Sequence, residues 1–299
     1  MRRLRRPATL ALLCCSVSSA APQDLAKRVG QVTFQVDAGL ALPGGLFIVR
    51  LRSARPLGAA YAILDGRRST FYGSPRGPRA LVPVPVGSLA GSNTLGVEIV
   101  GLRGRQRIPL DVSIGRREYN PRLVAIPEER QALLALPSAI HDGRLLLGLL
   151  RTETAASGAM GPLKPPVAAP GLAFGSPQSY EGGAGIESLV DASFGEYHRG
   201  LDYEVPVGTA VLAPAPGSVL FTGPLVLSGQ TLLLDHGQGV ISALFHLSRV
   251  DVAVGDRLEA RALLGLSGDT VLVAGPLLEW RVYVHGTAVD PRLLDRSLD

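Results

Sequence analysis

Four of the chain's five histidines, His198, His236, His246 and His285, fall after residue 197. Imidazoles and carboxylates are the side chains that hold divalent metals and move protons, so their spacing carries the first chemical information. The sharpest pattern is His198-Arg199-Gly200-Leu201-Asp202. On a helix, positions four apart share a face, but Gly200 and the Pro- and Val-rich sequel argue against a helix. On a flat strand the two groups would lie roughly 13 Å apart, too far to share an ion held at about 2 Å by each. A shared metal therefore needs the chain to bend at Arg199-Gly200, which glycine permits. The alternative is an ordinary surface hydrogen bond between His198 and Asp202. His236 sits in Asp235-His236-Gly237, a turn pattern that points to a structural role.

The elements that must position these groups read as strands. The chain has 299 residues, 46% hydrophobic and 18% charged, enough for sizeable cores in two domains and incompatible with wholesale disorder. Its 36 glycines and 23 prolines follow no period, which excludes collagen and fits short strands joined by tight turns. Val219, Phe221, Leu232–Leu234 and Val240–Phe245 mark strands in the last part. Upstream, strands are expected at Val32–Val36, Leu46–Leu51, Ala59–Leu64, Ala80–Val86, Thr94–Val100 and Ile108–Ile114. The fold class is all-β, with an immunoglobulin-like sandwich at 21–115. A connector at 116–184 holds short helices, one beginning near Pro127, and a Pro-rich arm, Gly161–Gly171, that is either packed on a domain or a flexible linker. A second β domain occupies 185–299.

The formal charge of +5 would suggest a nucleic-acid partner, but four of the arginines lie in the first twenty residues. Without them 26 basic residues face 25 acidic ones, and the phosphate-binding inference fails. Residues 1–20 read as a secretory signal: a basic start, an apolar run from Ala8 to Val17, and small residues ending at Ala20. That run is too short to span a bilayer, and no later stretch qualifies, so no integral span is expected in the mature chain. Both cysteines, Cys14 and Cys15, lie in this segment, which leaves the mature chain without disulfides or thiolate metal sites. The expected location is the periplasm or cell envelope.

Several ordered motifs add a resemblance. Phe194–Tyr203, Val205–Val211, Ala213–Val219, Leu234–Gly239, Phe245–Ser248, Val254–Leu258 and Gly265–Thr270 are together similar to the lysostaphin/LytM-type zinc peptidoglycan endopeptidases. The resemblance covers about a third of the chain, Phe194 to Pro291. It implies a compact antiparallel β domain with a groove for peptidoglycan peptide stems, and zinc held by His198 and Asp202. The third ligand position falls on Glu279, and His246 stands where the family has one of two catalytic histidines. The other catalytic position holds Leu277, and Val271 replaces a customary glycine. By strand alternation Trp280 points away from Glu279 into the core. His285 lies about 20 Å farther along an extended strand and is out of reach as a ligand.

Glu279 can coordinate zinc, but a site of one His and two carboxylates is formally neutral with a divalent ion. Such a site is a weaker Lewis acid, and it shifts preference towards harder ions such as manganese. Leu277 cannot transfer a proton, and losing such a group typically costs about 10²–10⁴ in rate. His246 is either an inherited catalytic group or a neutral histidine in a dead groove. Three functions follow: a degenerate domain, with a weakened zinc site, that binds peptidoglycan or regulates a wall hydrolase such as an amidase; an active zinc endopeptidase with a His198/Asp202/Glu279 site; or an adhesion or structural module with no wall contact. The signal reading predicts a mature N-terminus at Ala21. N-terminal sequencing of protein from the native envelope checks it, and a retained Met1 would contradict it.

Overall fold

The computed structural model describes residues 23–101, 104–155, 161–181, 196–269 and 275–298. The expected signal, Phe194-Gly195 and Thr270-Val271 lie outside the described residues.

Eight strands form the N-terminal unit: β1 (Leu25–Val29), β2 (Val32–Asp37), β3 (Leu46–Ser53), β4 (Ala60–Leu64), β5 (Arg67–Thr70), β6 (Arg79–Pro83), β7 (Gly91–Gly101) and β8 (Gly104–Ile114). They build two four-stranded antiparallel sheets, ordered β1-β2-β3-β6 and β5-β4-β7-β8. Between them lies a core that includes Phe34, Phe47, Val49, Leu95, Val97 and Leu110. Strand β8 shows the cause: Ile108, Leu110, Val112 and Ile114 are buried, while Arg107, Pro109 and Asp111 face solvent. The pairing of β3 with β6 and of β4 with β7 means the chain crosses between the two sheets rather than running through one sheet at a time. Strands β1 and β5 were not expected. Both are edge strands, and their polar sequences, Leu-Ala-Lys-Arg-Val and Arg-Arg-Ser-Thr, carry no apolar run.

The connector begins with β9 (Arg122–Ala125), which pairs in parallel with β10 (Gln178–Glu181). Between them, α1 (Glu128–Gln131) continues as a 3₁₀ turn to Ala135, and α2 (Pro137–Leu149) starts anew. The break falls at Leu136, whose ψ of 130° is extended, the conformation a following proline imposes. No single helix among the described residues is long and apolar enough to cross a membrane.

The C-terminal unit holds β11 (Leu201–Tyr203), β12 (Ala210–Leu212), β13 (Gly217–Leu225), β14 (Gly229–Gly237), β15 (Val240–Val250), β16 (Arg257–Leu258), β17 (Leu263–Ser267), β18 (Leu278–Val284) and β19 (Thr287–Val289). The main path runs β11-β18-β15-β14-β13-β16; β17 joins β12 to β15, and β19 flanks β18. One face packs Leu201, Tyr203, Leu232, Leu234, Leu244, Leu278, Trp280 and Val282 into a core. The other carries Leu233, Ile241, Ala243, Phe245 and Tyr283 beneath Leu146 and Leu150 at the end of α2. Burial on both faces explains why β14 and β15 are near-continuous apolar runs.

The same logic joins the two units. Phe47 and Val49 of β3 point into the sandwich, whereas Leu46 and Ile48 belong to the C-terminal core. The Arg50 guanidinium also donates to the Leu298 carbonyl at 2.8 Å, and the Asp290 N–H donates to the Gly44 carbonyl at 2.7 Å. The Pro-rich arm is packed. Leu163 N–H donates to the Leu294 carbonyl, Lys164 N–H to that of Pro214, and Leu212 N–H to that of Pro166, each at 2.9 Å. Leu163 and Val167 are buried in the core. Leu163→Ala should therefore cost about 2–5 kcal/mol of stability, read from the chemical unfolding midpoint; an unchanged midpoint would mean the arm is only loosely seated.

Candidate metal centre

Strand β11 lies antiparallel to β18 with Asp202 directly opposite Glu279, so both carboxylates project from one face. The backbone of His198 is fixed just before β11: its N–H donates to the Ser176 carbonyl, and its carbonyl accepts from Gly175 N–H, both at 2.8 Å. The chain then bends through Arg199-Gly200, the bend that a shared site requires. It brings His198 Nε2 to 3.1 Å from Asp202 Oδ1 and 3.7 Å from Glu279 Oε1. Gly200 makes the approach feasible. A Cβ there would lie 2.7 Å from Arg281 Cγ and 2.8 Å from Glu279 Oε1. His246 enters from β15. Its φ of +67° interrupts the strand's alternation immediately after Phe245, the residue paired with Glu279. His246 Nε2 ends 3.8 Å from Glu279 Oε2.

The donor set fits a divalent ion. Ligand atoms of His198, Asp202 and Glu279 lie within 4.8 Å of one another, and all three residues are buried. His198 Nε2 and Asp202 Oδ1 are buried with no hydrogen-bond partner among the described residues. Polar atoms left so cost about 1–3 kcal/mol each unless a ligand satisfies them. The other ring nitrogen, His198 Nδ1, lies 3.4 Å from the Gln178 amide, whose oxygen accepts from Tyr180 OH at 2.9 Å. The Gln178 nitrogen can only donate, so Nδ1 accepts from it and the ring proton lies on Nε2, the reverse of a metal-binding histidine, whose far N–H donates.

Two arginines complete the centre. Arg281 Nε donates to Glu279 Oε1 at 2.6 Å and its terminal nitrogen to Oε2 at 2.9 Å, a bidentate pair buried at both ends. The guanidinium also lies over the Phe245 ring, 4.9 Å from its centroid. Arg122, from β9, donates to Asp202 Oδ2. Burial alone would raise the pKa of Glu279, but the charge of Arg281, with His246 and His198, outweighs it and holds the carboxyl well below its ordinary value. Glu279 is an anion, and Arg281 is pushed correspondingly up by that anion against the effect of burial.

The remaining sequence candidates fall elsewhere. Leu277 N–H donates to the Gly268 carbonyl at 3.0 Å, and its side chain offers no proton. His236 bridges the Pro216 carbonyl and Ser242 Oγ, each at 2.8 Å, and burial lowers its pKa, so it is a neutral structural link. Trp280 is buried and donates to Ser242 Oγ at 3.1 Å. His285 pairs with Glu153 at 2.7 Å, away from the centre. Three contributors were missed in the sequence: Arg281, Arg122 and Gln178. Arg281 was accessible by strand alternation, two residues beyond Glu279. The other two arrive through the parallel β9–β10 pair, for which the sequence offers no local signal. Gly200→Ala should destabilise the protein by about 1–3 kcal/mol by overpacking, measured by thermal unfolding; neutral behaviour would mean Arg281 does not lie across Gly200.

Residues 196–291 match the profile of peptidase family M23. Over 97 residues the chain is 31% identical to an uncharacterized metalloprotease of Buchnera aphidicola, covering 32% of this chain and 26% of that protein. Over 93 residues it is 32% identical to the peptidoglycan DD-endopeptidase ShyA of Vibrio cholerae, covering 31% of this chain and 22% of that one. The match thus spans about a quarter of these relatives' own length. A solved structure from Pseudomonas aeruginosa, provisionally named an M23 peptidase, aligns with 26% identity and a TM-score of 0.60, over 86% of this chain and 95% of that one. At 86% of this chain, that likeness extends well beyond residues 196–291. The C-terminal region of this chain is therefore a peptidase family M23 domain of the LytM type.

Proposed function

We propose that this is an exported envelope protein whose M23 domain binds peptidoglycan peptide stems, or regulates a wall hydrolase such as an amidase, without efficient catalysis. The observation that carries the reading is the state of β18 and the residue before it: Leu277 stands where a proton-handling group is needed, and Glu279 is engaged on both oxygens by Arg281. His198, Asp202 and Glu279 are the residues that would hold zinc, more weakly than a two-histidine site. When bound, zinc lowers the pKa of water and polarises a carbonyl. His246 is then the one remaining imidazole beside the centre, and it faces Glu279. A site short of one acid/base group is slower by about 10²–10⁴.

The unpartnered His198 Nε2 and Asp202 Oδ1 favour the second reading, an active Glu-liganded zinc endopeptidase. The two separate in one assay. Mature protein incubated with purified peptidoglycan and zinc should sediment with it and release no soluble peptide fragments above the buffer control. Robust release, abolished by a chelator, would reject the non-catalytic reading.

A further inference from the structure

We propose that Arg281 is a built-in cation that supplies at Glu279 the positive charge a metal would supply, so that the resting centre is a closed ion-pair network and a divalent ion must compete with the guanidinium. The inference rests on the reading of a non-hydrolytic domain, but it concerns the metal and is tested apart from hydrolysis.

Three observations meet here. Charge comes first: Asp202 and Glu279 are opposed by Arg122 and Arg281, so the cluster is neutral with His198 uncharged and no ion bound. A divalent ion would raise it to a net of two positive charges in a buried place, where such charge is poorly screened. Position comes second. The Glu279 oxygen that faces His198 at 3.7 Å is Oε1, the same atom that Arg281 Nε holds at 2.6 Å. The third ligand is therefore engaged on the side where an ion would sit. Fit comes third. The Arg281 stem passes where a Cβ on residue 200 would stand, and its guanidinium rests over Phe245, so the side chain has a fitted channel rather than a chance pairing.

Two variants read the inference in chelator and in zinc. In the metal-free protein, Glu279→Gln strands a buried guanidinium. The melting temperature should then fall by about 5–10 °C. If Arg281 were a bystander beside an empty metal site, the same change would relieve repulsion between Glu279 and Asp202 and raise the melting temperature. Arg281→Met should be destabilised in chelator and recovered by zinc. Its zinc affinity by calorimetry should be at least about tenfold tighter than wild type, with the gain lost in His198→Ala/Arg281→Met. Arg281→Lys, which keeps the charge, should stay near the wild-type affinity. Equal zinc affinity in wild type and Arg281→Met would overturn the proposal, as would a stabilised Glu279→Gln in chelator. Should Arg281→Met fail to fold without zinc, the sign of the Glu279→Gln shift decides alone.

Discussion

Two buried carboxylates, Asp202 and Glu279, face each other across neighbouring strands, and the surrounding structure is arranged to offset that charge. Without partners the two anions would be costly to keep ionised away from water. Glu279 is offset from its own strand, by an arginine two residues on. Asp202 is offset from outside the M23 domain, by Arg122 of the connector. Among the described residues, His198 Nε2 and Asp202 Oδ1 are buried without a hydrogen-bond partner and lie 3.1 Å from each other. The centre therefore combines features of a metal site with those of a satisfied ion-pair cluster.

This arrangement ties the upstream elements to the site. Strands β9 and β10 bring Arg122 to Asp202 and Gln178 to His198, so the connector supplies a charge and an orienting hydrogen bond as well as a link. The sandwich in turn holds the M23 domain through β3, whose two faces belong to two cores.

What the sequence disclosed follows from how local each signal is. Alternation in Ile108–Ile114 marked β8 because one face of that strand is buried and the other is wet. Edge strands β1 and β5 escaped because an edge can remain polar. Short helices were expected in the connector, but α2 was not placed because its Leu-Leu-Leu-Gly-Leu-Leu stretch has no helical period to separate it from a buried strand. At the site, the His198–Asp202 spacing posed the right geometric question, and Gly200 supplied the bend. Glu279 and Leu277 were legible through the ordered motifs of a known family. Arg122 was not, because it reaches Asp202 across eighty positions of chain through a parallel pairing with no local marker.

The central claim is that Arg281, not a metal, neutralises Glu279 in the resting protein. The most direct measurement is a proton–nitrogen correlation spectrum of the Arg281 Nε–H group, recorded in chelator and again with zinc equimolar to protein. A buried hydrogen bond of 2.6 Å to Oε1 should give a resonance protected from exchange in chelator and lost in proportion to the zinc that binds. An Arg281 Nε–H group that exchanges freely in chelator, or one that is unmoved once zinc occupies His198, would contradict the account.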